Sequence, residues 1–193
     1  MTVNHCPWYK GWNVLGEHLW TTHAAVGAFA ALGLAKGKGG MKEVAAAVFL
    51  GSMAPDIDAI LYLVDPRIYF EQHRTLTHTL VGVTLLSVVT AGLITVSSKK
   101  RSLFVLALYA FVGGLIHLAL DALPSYPLRP LAPLSSHDYA LGLFWWRDPF
   151  FKVTALIGIA LILILPRFLA RPFLVLGLLV MAGRVAVAFF LHR

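Results

Sequence analysis

The sequence predicts an all-α, polytopic membrane protein with five or six spans. Of its 193 residues, 59% are hydrophobic and only 13% are charged, which is about half the charge of an ordinary soluble domain. The charged residues lie between long apolar segments instead of being spread through them, as expected when a bilayer surrounds the helices. No change of composition divides the chain, so residues 1–193 are predicted to form one domain.

Six apolar segments account for the predicted spans, namely residues 22–35, 44–64, 76–96, 103–123, 150–165 and 172–191. A full span needs about 20 residues, so the short first and fifth segments leave the count at five or six. Pro55 interrupts the second segment, because proline lacks a backbone donor and disfavours helix at the preceding residue. Residues 1–20 carry several tryptophans and no continuous apolar core, which predicts an arm at the membrane–water interface.

Lysine and arginine are concentrated in alternate loops. These loops follow the first, third and fifth segments and contain Lys36, Lys38, Lys42, Lys99, Lys100, Arg101, Arg167 and Arg171. Short loops with this bias stay in the cytoplasm, so we expect all three loops inside and both termini outside. The same distribution explains the net charge of +7 without a nucleic-acid partner.

Histidine and aspartate residues collect at the opposite, extracytoplasmic ends of the predicted spans. They are His23, Asp56, Asp58, His73, His78, His117 and Asp121. Neutral imidazole and carboxylate groups bind zinc, manganese and similar ions, whereas the single cysteine, Cys6, excludes a cysteine-based zinc site and an intrachain disulfide. The sequence therefore predicts a divalent metal site at this face, with zinc favoured and manganese as the alternative.

The spacing of these residues suits metal binding. His117 and Asp121 are four residues apart and project from one helix face, and two aspartates follow the break at Pro55. The main candidate ligands are Asp56, His78, His117 and Asp121, followed by His23, Asp58 and His73. Two residues are predicted to act on a substrate: Arg74 suits bidentate capture of phosphate, and Asp58, if it is not occupied by metal, could serve as general base.

Each signal also has a simpler interpretation. Asp56 or Asp58 could cap a helix, although two acids within an apolar segment are costly without partners. His117 and Asp121 could form a buried hydrogen-bonded pair without metal. His23 could be an interfacial histidine, and either His73 or His78 could only orient other ligands.

The remaining polar residues are weaker candidates. His5, His18 and His192 are expected at the surface, and His137, Asp138 and Asp148 fall in the long outer loop. Arg184 lies inside the last apolar segment. It could pair with an acid, contact the substrate or extend to the interface.

Four motifs occur in the order Thr22-His23-Ala24, Pro55-Asp56-Ile57-Asp58, His73-Arg74-x-x-Thr77-His78 and His117-x-x-x-Asp121. Together with the proline-rich residues 123–133, they resemble the YdjM-type inner-membrane metal-dependent hydrolases. The resemblance covers residues 22–133 and implies a membrane-bound hydrolase with a metal site built from these residues.

The order of the motifs is also distantly similar to the all-helical zinc-dependent phospholipase C and single-strand nuclease group. Members of that group cleave phosphate esters with a cluster of zinc ions. This chain lacks their further His-x-x-x-Asp or Glu pair, and its tryptophan nearest the N-terminus is Trp8. The resemblance therefore implies one or two ions instead of three.

We accordingly expect a metal-dependent hydrolase acting on a phosphate ester of a membrane lipid or lipid-linked molecule. An ion or small-molecule transporter is one alternative, because a broken span with acids beside the break is a known transporter feature. A structural or regulatory membrane protein, in which a metal only ties helices together, is the other.

Overall fold

The regular structure of the chain is helical. The computed structural model describes residues 19–36, 42–98, 101–124, 127–144 and 149–191. In chain order the α-helices are α1 (Leu19–Lys36), α2 (Lys42–Met53), α3 (Ile60–Val64), α4 (Pro66–Gln72), α5 (Leu80–Ser97), α6 (Leu103–Asp121), α7 (Phe150–Ile164) and α8 (Ala170–Leu191). Short 3₁₀ helices cover Ala54–Ala59 and Arg167–Leu169. The predicted all-α class is confirmed.

Four helical segments of the described chain are long and apolar enough to cross a membrane. They are Lys42–Val64, Leu80–Ser97, Leu103–Asp121 and Arg167–Leu191, and the apolar helix α7 is shorter. Large apolar side chains point outward from these segments, with Leu85 59% and Leu179 63% exposed. Water would make such surfaces unfavourable, whereas lipid suits them. The protein is therefore an integral membrane protein.

The predicted boundaries hold for most helices and fail at the third segment. That helix begins at Leu80 instead of residue 76, because the Thr79 side chain caps it by accepting a hydrogen bond from the Gly82 N–H at 2.9 Å. The sequence also did not predict the short helix α4, which Asp65 caps. The break at Pro55 is confirmed as a 3₁₀ helix between α2 and α3. Most of the predicted interfacial arm, residues 1–18, lies outside the described residues.

Phe29 is the centre of the contact between α1, α7 and α8. Its side chain is fully buried. A Cβ atom at Gly158 or Gly177 would lie 2.4 or 2.5 Å from atoms of its ring. The two glycines therefore accommodate one aromatic side chain, and small residues let the three helices approach closely.

α2 and α6 pack backbone against backbone. A Cβ atom at Gly51 would lie 2.1 Å from the carbonyl oxygen of Ala110, and one at Gly113 would lie 2.2 Å from that of Val48. Both glycines are needed because no other residue leaves room for this approach. The contact brings the C-terminal end of α2 next to His117 on α6.

The basic loops meet at one end of the bundle. Lys36 donates hydrogen bonds to the carbonyl oxygens of Ile162, Leu163 and Leu165 at the end of α7, and Ser98 donates one to Glu43 at 2.8 Å. These contacts place the described parts of all three loops on one face, as the alternation of charge predicts. The histidines and aspartates gather at the other end.

Candidate metal centre

All seven predicted ligands converge in one buried cluster. His23 comes from α1, Asp56 and Asp58 from the 3₁₀ helix, His73 and His78 from the turn before α5, and His117 and Asp121 from α6. No side chain in the cluster is more than 8% exposed. Burying this many imidazoles and carboxylates is costly unless they are paired or hold a cation.

Four donor atoms form the centre of the cluster. The Nε2 atoms of His78 and His117 are 3.2 Å apart, and they lie 3.3 and 3.5 Å from Oδ2 of Asp121. The same nitrogens lie 3.5 and 3.6 Å from Oδ1 of Asp56. A tetrahedral ion with bonds of about 2.0–2.1 Å holds its ligand atoms roughly 3.3–3.4 Å apart. The five distances given match this spacing, and His78, His117 and Asp121 form one group whose donor atoms lie close enough together to hold an ion.

The protonation of the two histidines also suits a metal. Nδ1 of His117 lies 2.8 Å from the Ser52 carbonyl oxygen, which can only accept a hydrogen bond. Nδ1 of His78 lies 2.9 Å from the Thr77 hydroxyl, which itself donates to Asp58. Both Nδ1 atoms therefore carry the hydrogen, and both Nε2 atoms present a lone pair to the centre. Burial lowers the pKa of the His78 imidazole, which favours the neutral form that binds metal.

Several buried atoms around the centre have no hydrogen-bond partner. They include both carboxylate oxygens of Asp56, Oδ2 of Asp121 and both ring nitrogens of His23. Facing lone pairs and carboxylates repel one another, and a divalent cation converts that repulsion into attraction. The donors present therefore fit a divalent ion that takes nitrogen and oxygen ligands.

The cluster contains more donors than one tetrahedral ion uses. Two further groups could each hold an ion and share residues with the first: one combines His23, Asp56 and His117, and the other combines Asp56, His73 and His78. The His23 ring is also stacked on the His117 ring at a centroid distance of 3.8 Å. This overlap accommodates the predicted one or two ions.

Asp58 lies at the edge of the cluster and is absent from these three groups. Both of its oxygens lie 3.1 Å from Nδ1 of His73, and one accepts the Thr77 hydroxyl at 2.9 Å. Asp58 thus orients two residues of the turn before α5, and through Thr77 it fixes the ring of His78.

Arg74 reaches into the cluster from the same turn. Its Nη2 atom donates to Oδ1 of Asp121 at 2.9 Å, with the arginine side chain 8% exposed. Arg74 has a positive φ of 66°, a conformation that costs a non-glycine residue about 1–2 kcal/mol. The turn folds its side chain back toward α6, where it holds one oxygen of Asp121 while the other faces the centre.

The sequence did not assign roles to three residues that support the cluster. Thr77 lies between two candidate ligands, so its position in the motif was a usable signal. The Ser52 carbonyl contact depends on the close approach of α2 and α6, which no local pattern reveals. Tyr69 is buried and stacks on His73 at 4.7 Å. Burial raises the pKa of its phenol, which keeps the hydroxyl protonated.

A cleft of about 460 Å³ opens beside the cluster. His73 and Arg74 line it and also contact cluster residues. Its other walls include Leu76, Val81, Arg129 and Asp138. This volume lies within the range of small-molecule sites.

The weaker candidates lie away from the centre. Asp138 is bound to Arg129, and His137 packs its ring edge-on against Tyr139 at 4.7 Å. The Arg184 guanidinium lies over the Phe144 ring, 4.7 Å from its centroid, a cation–π contact that the sequence did not suggest. His5, His18, Asp148 and His192 lie outside the described residues.

Comparison with known proteins identifies the family of the chain. Over 115 residues, or 60% of its length, the chain is 30% identical to the uncharacterized protein YfhP of Bacillus subtilis (strain 168), and the match covers 35% of that relative. No solved structure matches the chain significantly. Residues 19–193 match the family described as YdjM inner membrane protein. Because the match includes every helix described above, the chain belongs to the YdjM inner membrane protein family.

Proposed function

We propose that the protein is a membrane-bound metal-dependent hydrolase that cleaves a phosphate ester of a lipid or lipid-linked molecule. The observation that carries this proposal is the contact between the donor cluster and the open cleft. His73 and Arg74 belong to both, so a molecule in the cleft would lie directly beside the metal ligands. Perturbed, buried ionisable groups beside a cleft are typical of active sites.

Asp56, His78, His117 and Asp121 would hold the ion. Their imidazole nitrogen and carboxylate oxygen donors favour zinc, with manganese as the alternative. A bound divalent ion would supply a Lewis acid for the phosphoryl oxygen and would make water a better nucleophile.

Asp58 and His73 would transfer a proton from the attacking water to the leaving group. Because the Asp58 carboxylate lies against Nδ1 of His73, the hydrogen stays on that nitrogen and the lone pair on the other. His73 could then accept a proton from the attacking water and return it to the leaving group. In this scheme Asp58 orients the base, and Arg74 positions Asp121 while facing the phosphate.

A structural metal is the second candidate, and one observation favours it. All four central donors come from the protein and are at most 3% exposed, as in closed structural zinc sites. No comparable observation supports the transporter alternative, because the buried histidines and aspartates of the described chain lie together at one end of the spans.

Turnover separates the two candidates. Detergent-purified protein should release phosphate or a phosphorylated head group from phospholipid substrates, lose this activity after chelation and regain it with zinc or manganese. Asp56→Asn should lack turnover while keeping its helical circular dichroism. Metal retention and a loss of thermal stability on chelation, with no turnover of any phosphoester, would establish the structural role instead.

We further propose that the cluster faces the extracytoplasmic side, because the basic loops lie at the opposite end. In a Cys6→Ser background, Ser136→Cys should react with a membrane-impermeant thiol reagent added to intact cells, and Arg101→Cys should not. The reverse labelling would place the site in the cytoplasm.

A further inference from the structure

The cleft carries charge of both signs. Arg74 lies at its buried end beside Asp121, and Arg129 and Asp138 form an ion pair at its exposed rim. Both guanidinium groups suit a phosphate group, because arginine binds phosphate through two parallel N–H donors. The volume accommodates a head group and excludes a macromolecule.

An apolar stripe begins where the charged cleft ends. Val81 lines the cleft at the first turn of α5, and Leu85 and Val88 continue along the same helix face. These side chains are 45%, 59% and 48% exposed. Because α5 is long and apolar enough to cross the membrane, the stripe would face lipid, and it begins at the cleft wall.

We propose that the cleft binds the phosphate-bearing head group of a membrane lipid, whose acyl chain lies along Val81, Leu85 and Val88. The juxtaposition of a cleft lined by two arginines and an outward apolar stripe matches the two halves of a phospholipid, whereas a soluble phosphoester would use only the cleft. As a description of the substrate this rests on the hydrolase proposed above. As a lipid-binding site it is testable without turnover.

The test uses a phosphonate analogue of phosphatidic acid, in which a methylene group replaces the ester oxygen so that no hydrolysis can occur. The analogue carries a diazirine in one acyl chain and is added to the purified protein in maltoside micelles. After illumination, mass spectrometry should find the label concentrated on the peptide that contains residues 81–88. Labelling spread evenly over the lipid-facing surfaces of α5, α6 and α8 would overturn the proposal.

Two pairs of variants test the cleft itself. Ala132→Trp fills the cleft, whereas Leu134→Trp adds the same side chain at a position that is 90% exposed and outside the lining. Ala132→Trp should abolish the labelling, and Leu134→Trp should leave it unchanged.

Arg129→Gln should weaken binding of the probe about tenfold, the effect of one lost charge-assisted contact. Arg67→Gln, at an exposed position outside the cleft lining, should have no effect. Equal labelling of both members of either pair would overturn the proposal.

Competition identifies the ligand class. Excess phosphatidic acid should displace the probe, whereas diacylglycerol and inorganic phosphate should not. Displacement by diacylglycerol would show that no head group is recognised, and displacement by inorganic phosphate would show a site for soluble anions; either result contradicts the proposal. Specific labelling without hydrolysis of phosphatidic acid or other phospholipids would support the lipid site and refute the hydrolase.

Discussion

The two ends of the bundle differ in how their polar groups are paired. At the basic end, the Lys36 ammonium binds carbonyl oxygens at the end of α7, and Ser98 pairs with Glu43. A cation there satisfies the exposed carbonyls of a helix C-terminus. At the other end, lone pairs of His78 and His117 face each other and two carboxylates. The first arrangement is complete without a further group, whereas the second would be stabilised by a cation.

Asp121→Ala should have the largest effect of the variants considered, on both metal content and the free energy of unfolding. The substitution removes the carboxylate that Arg74 contacts at 2.9 Å and His23 at 3.3 Å. Removing one partner of a buried charged group costs about 3–5 kcal/mol, and the metal content should fall to background. Elemental analysis and unfolding in mixed micelles measure the two effects. Asp138→Ala, at an exposed arginine–aspartate pair, is the matched control and should retain the metal. Full metal content in Asp121→Ala would contradict its place among the ligands.

Gly113→Ala should disrupt the contact between α2 and α6 that positions His117. Its Cβ would lie 2.2 Å from the Val48 carbonyl oxygen and 2.7 Å from the Ser52 nitrogen. Forcing α2 and α6 apart should cost about 1–3 kcal/mol and weaken metal binding through the Ser52–His117 contact. Gly92→Ala meets nothing within 4 Å and should be neutral or slightly stabilising. Similar thermal stability of the two variants would show that α2 and α6 leave room for a methyl group at Gly113, contrary to this contact.

Thr77→Val tests the support of His78, because it removes only the hydroxyl that joins His78 to Asp58. Loss of such an orienting contact typically weakens metal affinity about 10–100-fold, with little change in fold. Thr77→Ser should restore the affinity, and Thr84→Val, whose hydroxyl only contacts its own helix, should not alter it. Competition with a fluorescent chelator measures all three, and an unchanged affinity in Thr77→Val would remove Thr77 from the support of His78.

Lys36→Met should have the smallest effect, at the basic end. It removes the hydrogen bonds to the last carbonyl groups of α7 and should cost about 1 kcal/mol in unfolding free energy. The metal affinity should stay at the wild-type value, because the cluster lies at the opposite end. A loss of metal in this variant would mean that the two ends are coupled.

Features that are encoded locally along the chain could be predicted from the sequence, whereas contacts between distant segments could not. Spans and basic loops are set by hydropathy and charge along the chain, so helices such as α6 and α8 were predicted nearly at their observed ends. The cluster residues were predicted because polar groups in apolar segments are costly and therefore conspicuous. The predicted start of the third segment at Leu76 was wrong, because the Thr79 cap begins the helix at Leu80 instead. The contacts of Ser52 and Tyr69 depend on packing between distant segments, which no local pattern encodes.

X-ray absorption spectroscopy of the purified protein reconstituted with zinc tests directly whether the cluster is a metal centre. The donors of His78, His117 and Asp121, completed by one further oxygen, predict a first shell of about four nitrogen and oxygen atoms near 2.0 Å, with the outer-shell signal of two imidazoles. Wild-type protein should bind at least one ion per chain, and His117→Ala should lose one imidazole signal or the ion itself. Failure of the wild-type protein to take up zinc, manganese or any similar ion, or a first shell unchanged in His117→Ala, would contradict the assignment of this cluster as a metal centre.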